Sequence, residues 1–385
     1  MKIFFSAGEP SGDALGAAVI KALPPGTTVS GIGGEEMQAA GVASLFPLSD
    51  LAVMGLVEVL PRLPRLFRRL RETVAAVLQT QPDIVCTIDA PGFNARLARR
   101  LHAARAEGKW HGKLVHLVAP SVWAWKPGRA AKMAAVYDHL LCLLPFEPPL
   151  FEKHGLASTF VGHPILERYD TTNALTPAPL PRGEGFSEGG TKKPLLLLLP
   201  GSRRGEVSRL LPLFLEAAQR VQQHRPNTQL ALMTVPFLKE TVQAIVKKSQ
   251  LAIPVLTDSK YRVPLYRAAD AALAASGTVS VELAAAGTPH VVAYRVHPLT
   301  HQIAKRLITI HFASLINILE NNAIIPEYLQ HAATPNALAE AVAPLFVQKQ
   351  AFAAAVVPAL AKLRPPEDST GAGHAAAKVL LSLVR

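Results

Sequence analysis

Five consecutive leucines, Leu195–Leu199, stand between Pro194 and Pro200. A strand that is apolar at every position has no solvent face, so it belongs inside a parallel sheet covered on both sides by helices. Gly201, Ser202 and Arg203 follow, and Val207, Leu210, Leu211 and Phe214 then recur at helical spacing. The free N–H groups and the dipole at such a helix start face an incoming anion. Arg203 and Arg204 add fixed charge that grips phosphate bidentately. An ordinary strand-to-helix turn with surface arginines fits the same residues. Position favours the anion site, because this unit restarts an α/β pattern at mid-chain, as the first strand of a second nucleotide-binding domain would.

The first half carries the same grammar. Apolar runs at 2–6, 28–32, 83–88, 113–118, 139–144 and 158–161 read as strands, each ending in small or turn-forming residues. In the second half the runs lie near 229–234, 253–256, 270–273 and 290–293. The expected fold is α/β, with two doubly wound parallel sheets. Residues 1–170 form the first domain and 194–350 the second, with helices over 351–385. The stretch 171–193 is rich in Pro, Gly, Ser and Thr without periodicity, so it reads as a linker.

A formal charge of +12 over 385 residues calls for an anionic partner: nucleic acid, a membrane surface or a phosphorylated small molecule. No run of 18 uncharged apolar residues occurs, so no spanning helix is expected. The chain has 2 cysteines, both in apolar runs, and no Cys/His cluster with zinc spacing. Residues 51–71 interleave apolar positions (Val53, Leu56, Val57, Leu60, Leu63, Leu66) with Arg62, Arg65, Arg68 and Arg69. Apolar bulk beside clustered arginine suits the surface of an anionic membrane. A core-packed helix with a solvated basic face suits it equally.

Ligands in open α/β sheets bind at the carboxyl ends of strands. Asp89 stands there after the 83–88 strand, either as a general base or as a helix cap. Glu9 and Asp13 make an acidic loop after the first strand, suited to sugar hydroxyls, and Ser11 can cap the helix that follows; a plain capped strand-to-helix turn fits the same residues. Trp123 and Trp125 either line a sugar or acyl pocket or pack on the sheet edge, and His163 is either a hydroxyl or phosphate donor or a structural histidine. In the second half, Ser276, Gly277 and Thr278 open a helix with Glu282 one turn inside it, either as a partner for a ribose diol or as a surface Glu on a capped helix.

Together these stretches resemble lipid-A-disaccharide synthase. The matching motifs are SAGEPSGD (6–13), VMGLVEVL (53–60), IDAPGFN (88–94), PSVWAW (120–125), LPFE (144–147), VGHP (161–164), LLPGSRRGEV (198–207), ASGTVSVE (275–282) and VVAYRV (291–296). They are collinear across both halves. The resemblance implies a GT-B fold, two Rossmann-like domains facing a cleft. It also implies an inverting transfer from UDP-2,3-diacylglucosamine to 2,3-diacylglucosamine 1-phosphate (lipid X), giving a β-1,6-linked disaccharide 1-phosphate and UDP. By motif, Asp89 resembles the essential acid and candidate base and Arg203 the essential arginine at the donor site, with Glu9 a further catalytic position. Gly201, Ser202, Arg203, Ser276, Gly277, Thr278, Glu282 and Asn317 resemble UDP-sugar positions. Ser11, Asp13, Trp123, Trp125 and His163 fall to the acceptor, and the stretch from Val53 to the membrane. No cofactor and no nucleic acid are implied. The implied location is cytoplasmic, peripheral on the inner membrane, and a homodimer is admitted. No Asp-x-Asp motif occurs, so the helix start at Ser202 with Arg203 is the candidate for stabilising UDP without a metal. Two positions depart from the family pattern: Gly92 stands where Asp is usual, and Ile316 where Pro is usual. The competing readings are another UDP-sugar transferase or epimerase, and a basic nucleic-acid- or membrane-binding scaffold.

Overall fold

The computed structural model describes residues 1–51, 63–169, 193–296 and 310–384. The chain forms two compact units, Met1–Pro164 with Leu363–Arg385, and Ile165–Lys362. The sequence reading placed its boundaries a little later, at 170, and earlier, at 350. The linker stretch 171–192, and Val53, Leu56, Val57, Leu60 and Arg62, lie outside the described residues.

The first unit holds a six-stranded parallel sheet: β1 (Lys2–Ala7), β2 (Thr28–Ile32), β3 (Ile84–Ile88), β4 (Lys113–Leu117), β5 (His139–Cys142) and β6 (Ala157–Phe160), in the order β2-β1-β3-β4-β5-β6. Helices connect them: α1 (Pro10–Ala22), α2 (Glu35–Ala39), α3 (Leu63–Thr80), α4 (Pro91–Ala106) and α5 (Arg129–Ala134) among others. Every residue of β3 is buried, as a strand covered on both faces requires. The helix Ala372–Ser382 returns from the far end of the chain to pack on α1. Contact there is close because Gly373 lies against the Ala18 backbone, where a β-carbon would have no room.

The second unit repeats the plan with β7 (Leu195–Leu199), β8 (Gln229–Met233), β9 (Val255–Leu256), β10 (Ala271–Ala275), β11 (His290–Tyr294) and β12 (Glu327–Leu329). Their order is β12-β11-β10-β7-β8-β9, all parallel. All five leucines of β7 are buried. At roughly 1.5–3 kcal/mol per fully buried side chain they are a large share of what holds this sheet in place. Helix α6 (Arg204–His224) covers one face through Val207, Leu210, Leu211 and Phe214.

Strand order fixes where a ligand can sit. The order in which the chain adds strands reverses between β1 and β3 in the first sheet, and between β7 and β10 in the second. At such a switch point the two neighbouring loops leave in opposite directions and open a crevice at the carboxyl ends. The loops at these points are Gly8–Ser11 and Asp89–Gly92 in the first unit, and Gly201–Arg203 and Ser276–Gly277 in the second. Among the described residues no single helix is long and apolar enough to cross a membrane.

Candidate active site

β3 ends at Ile88, and Asp89 and Ala90 both adopt left-handed backbone angles, φ 46° each, before α4 begins. Such angles in non-glycine residues cost about 1 kcal/mol or more apiece and persist only where the surroundings enforce them. Asn94 supplies the enforcement. Its Nδ2 donates to the carbonyls of Ser6 (3.1 Å), Ile88 (3.0 Å) and Asp89 (2.9 Å), and its Oδ1 accepts from the Ser6 hydroxyl at 2.7 Å. Gly8 completes the corner, since a β-carbon there would collide with that of Ala90. The loop carrying Glu9 and Ser11 thus lies directly against the turn carrying Asp89, with Glu9 and Ser11 exposed.

A cavity of about 1020 Å³ opens beside this turn, with Asp89, Val118, Trp125, His116 and Tyr137 in its wall. Burial raises the pKa of Asp89 above the usual aspartate value, against a hydrogen bond from the Ala90 backbone that lowers it. That is the direction a general base needs, because it makes the carboxylate a better proton acceptor. His116 lies 2.7 Å through Nδ1 from the Thr87 hydroxyl, and burial lowers its pKa to about 4. It is a neutral wall at pH 7. The Thr87 hydroxyl is 3.3 Å from that of Tyr137, which donates to the Asn94 carbonyl at 3.4 Å. Strain gathers here too: Val118 (φ 82°) and Lys126 (φ 54°), like Asp89 and Ala90, are left-handed residues in loops around the cavity.

The two tryptophans part company. Trp125 is 38% exposed at the cavity, with Lys126 Nζ 4.3 Å and the Arg129 guanidinium 4.6 Å from its ring centre. Trp123 instead donates through Nε1 to Glu147 at 3.1 Å and meets Phe146 edge-on at 5.5 Å. Glu147 is buried and also accepts from the Leu144 N–H at 3.1 Å; burial pushes its pKa up to about 7.

Two further acceptor candidates have structural employment. The Asp13 carboxylate is buried and accepts from the N–H groups of Gly34 (2.7 Å), Glu36 (3.0 Å) and Met37 (3.1 Å), so it caps α2 rather than presenting itself to a ligand. His163 is half-buried at the end of the β6 segment, its N–H donates to the Leu363 carbonyl at 2.8 Å, and burial lowers its ring pKa to about 4.

In the second unit, β7 and β10 are neighbours, so Gly201–Arg203 and Ser276–Gly277 open on the same sheet edge. The N–H groups expected to be free for phosphate are not. Those of Ser202 (3.2 Å) and Arg203 (3.3 Å) point at Glu206 Oε2, and Arg203 Nη1 donates to Glu206 Oε1 at 3.2 Å. The side chain three residues into the helix has reached back and taken the place of an external anion. Gly201 (φ 103°) leaves the room for that carboxylate, which a β-carbon would meet. Arg203 itself stays 69% exposed.

Ser276 donates to the Ala313 carbonyl at 3.1 Å, and Gly277 (φ 145°) precedes helix α7 (Thr278–Ala285). Glu282 on that helix is buried, with Arg262 Nη1 3.5 Å away. Burial raises its pKa, against Arg262 and Arg168, which lower it. Asn317 was expected at the sugar nucleotide but is fully buried. Its Nδ2 donates to the Ile325 carbonyl (2.8 Å) and Glu327 (2.7 Å), and its Oδ1 accepts from the Ile325 N–H at 2.9 Å. It shapes the loop that carries Ser314, whose N–H donates to Glu327 at 2.8 Å.

The basic helix divides. In α3, Leu70, Thr73 and Val77 are buried while Phe67 is 48% exposed, so its carboxyl half belongs to the core and its start faces outward. Leu63 and Leu66 are half-buried there. Arg69 pairs with Asp50 (2.6 Å) and Glu72 (2.7 Å) and stacks on Phe46 at 4.6 Å, which removes it from any lipid-facing set. Arg65 and Arg68 remain exposed, with looser partners at 3.6 and 3.5 Å.

The fold is shared with sugar-nucleotide enzymes of the GT-B type. A Methanocaldococcus jannaschii UDP-GlcNAc 2-epimerase, solved with UDP-GlcNAc and UDP, superposes with a TM-score of 0.62 at 12% identity, covering 99% of this chain and 100% of that one. The calicheamicin glycosyltransferase CalG4 gives 0.58 at 18% identity, over 100% and 98% of the two chains. Sequence is far closer to another group. The lipid-A-disaccharide synthase of Ruegeria pomeroyi is 44% identical over 92% of this chain and 89% of its own length. That of Rhodospirillum centenum is 45% identical over 88% and 84%. The family profile described as lipid-A-disaccharide synthetase matches residues 3–362, and the chain belongs to that family.

Proposed function

We propose that this chain is an inverting hexosyltransferase that moves the sugar of UDP-2,3-diacylglucosamine to the 6-hydroxyl of 2,3-diacylglucosamine 1-phosphate. The products are the β-1,6-linked disaccharide 1-phosphate and UDP. The observation that carries the residue assignment is the position of Asp89: at the switch point of the first sheet, on an enforced left-handed turn, in the wall of a large cavity. Inversion at the anomeric carbon needs one in-line attack and one base. Asp89 takes the proton from the attacking hydroxyl, and Glu9 stands exposed on the abutting loop. Asn94 and Gly8 are positioning residues for that turn.

The donor falls to the second unit, at the carboxyl ends of β7 and β10. Arg203, exposed and beside the start of a long helix, meets the negative charge that builds on UDP as the glycosidic bond breaks. The diphosphate competes with Glu206 for the N–H groups of Ser202 and Arg203. Ser276, Gly277, Thr278 and Glu282 fall to the nucleoside end. Both substrates carry acyl chains, and the exposed start of α3, with Phe67, Arg65 and Arg68, is suited to an anionic lipid surface. That would make the protein peripheral to the inner membrane.

The test is incubation of the purified chain with both substrates in mixed micelles, with the product identified by mass and by the anomeric coupling of the new linkage. A β-linked disaccharide 1-phosphate is expected. UDP-N-acetylglucosamine epimerisation, or transfer to a water-soluble sugar in preference to the lipid, would replace this reading.

A further inference from the structure

The cavity beside Asp89 has a feature that the base does not explain. Its wall is largely apolar, with Val118, Met133 and Val136 among its members, yet Arg99, Arg129 and Lys132 also line it. None of the three forms an ion pair among the described residues. Their neighbours do: Arg105 pairs with Asp138 at 2.6 Å, and Arg69 with Asp50 and Glu72. Three cations without an ion-pair partner, in a wall whose single carboxylate is Asp89, leave the hollow with an excess of positive charge that favours an anion.

Helix geometry explains how they converge. Gly92, Ala95 and Arg99 are spaced to lie on one face of α4, and all three line the cavity. Arg129, Lys132, Met133 and Val136 repeat that spacing along α5 and its continuation. Two helices thus present matching faces, each mixing cationic and apolar residues. The hydrogen-bonding capacity is also to hand. Arg99 gives Nε to the Ala95 carbonyl at 3.1 Å, leaving both terminal nitrogens, and the Arg129 guanidinium lies over the Trp125 ring, its carbon 4.6 Å from the ring centre.

We propose that Arg99, Arg129 and Lys132 form a phosphate subsite for the acceptor, in the same cavity whose apolar wall receives the acyl chains. This rests on the reaction assigned above and adds which residues read the acceptor's charge. A phosphate monoester carries close to two negative charges at pH 7, so one cation does not neutralise it and three do. The placement agrees with the chemistry at the other end of the sugar. Seven residues of helix separate Gly92 from Arg99, a rise of about 10 Å. A hexose whose 6-hydroxyl meets Asp89 therefore directs its anomeric phosphate along α4 toward Arg99. The ligand class is an acylated sugar 1-phosphate, recognised by a bidentate arginine grip at one end and apolar contact along its side.

The experiment measures equilibrium binding of 2,3-diacylglucosamine 1-phosphate and of phosphate-free 2,3-diacylglucosamine, both in nonionic detergent micelles without donor, and sugar transfer to each. The wild-type chain is expected to prefer the phosphorylated acceptor by about tenfold or more, as charge-assisted hydrogen bonds imply. The double variant Arg99→Ala/Lys132→Ala should bring that preference close to one, and Arg99→Lys should retain part of it. A preference unchanged in the double variant, or absent from the wild type, overturns the proposal. Should the double variant fail to fold, Lys132→Ala alone, altering an exposed side chain, carries the test with a partial loss of preference. Phosphate-dependent binding that the variants lose, with no sugar transfer by the wild type, would keep the subsite and remove the reaction. Transfer with an unmoved preference would do the opposite.

Discussion

Glu147 offers a stability prediction that requires no substrate. Its carboxyl is 3% exposed and is held by the Trp123 indole and the Leu144 N–H, and burial raises its pKa from 4.5 to about 7. A carboxyl raised in the folded state stabilises the fold fully below its unfolded value, and that contribution is lost as pH rises through the folded one. At about 1.4 kcal/mol per pH unit, the interval from 4.5 to about 7 corresponds to roughly 3 kcal/mol. In Glu147→Gln nothing titrates at this position. The amide also sets an N–H donor against one of the two donors that the carboxyl accepts from, but that offset is the same at every pH. The stability of Glu147→Gln relative to wild type should therefore rise by on the order of 3 kcal/mol between pH 4.5 and pH 8. All 3 tryptophans, Trp110, Trp123 and Trp125, lie in the first unit, so denaturant unfolding followed by indole fluorescence reports on it directly. Parallel stability curves across that range would show that Glu147 is ionised throughout and that the burial argument is wrong.

Other substitutions test the remaining parts. Asn94→Ala strands the Ser6 hydroxyl and three carbonyls, and should cost roughly 2–4 kcal/mol in the same unfolding assay while UDP affinity stays put; a loss below about 0.5 kcal/mol would remove it as the fastener of the Asp89 turn. Gly8→Val drives side-chain atoms into Ala90 and should cost roughly 1–3 kcal/mol together with a fall in kcat; an unaltered melting temperature would mean that the two loops are not in contact as described. Arg203→Ala should weaken UDP binding by calorimetry about tenfold to a hundredfold and leave stability unchanged, since the side chain is mostly exposed; wild-type affinity would take it out of the donor site.

The strands were legible because a segment buried on both faces is apolar nearly throughout: Leu195–Leu199 is wholly so, and 84–88 is but for Thr87, whose hydroxyl bonds to the Val115 carbonyl and His116. The turns that end them were legible for the same reason: Gly201, Gly277 and Asp89 follow directly on runs whose edges are plain. Long-range pairing was not. Asp13 caps a helix that begins 22 residues later, and Asn317 bonds to Ile325 and Glu327; no periodicity announces such partners. Trp123 and Trp125 are two residues apart, and partners from another loop, Glu147 and Phe146, hold the first of them away from the cavity. One miss had a signal. Arg203 and Glu206 stand at the spacing at which a helix's third residue reaches back to its cap, so the occupant of those N–H groups was present in the sequence. Arg99 was likewise readable, seven residues beyond Gly92 on the same helix face. The arginines of α3 looked alike in sequence, and only packing against Phe46 and Asp50 separates Arg69 from Arg65 and Arg68.

The most direct measurement is single-turnover transfer by Asp89→Asn beside wild type, over a range of pH, with UDP affinity determined for both. Asparagine keeps the size of the side chain and removes the proton acceptor. The rate constant for transfer is expected to fall by about two to four orders of magnitude, with UDP affinity unchanged. The wild-type rate should climb with pH through a carboxyl pKa that lies above the ordinary aspartate value, and the residual rate of the variant should lose that limb. A variant that transfers at the wild-type rate, with the same pH profile, would contradict the assignment of Asp89 as the base.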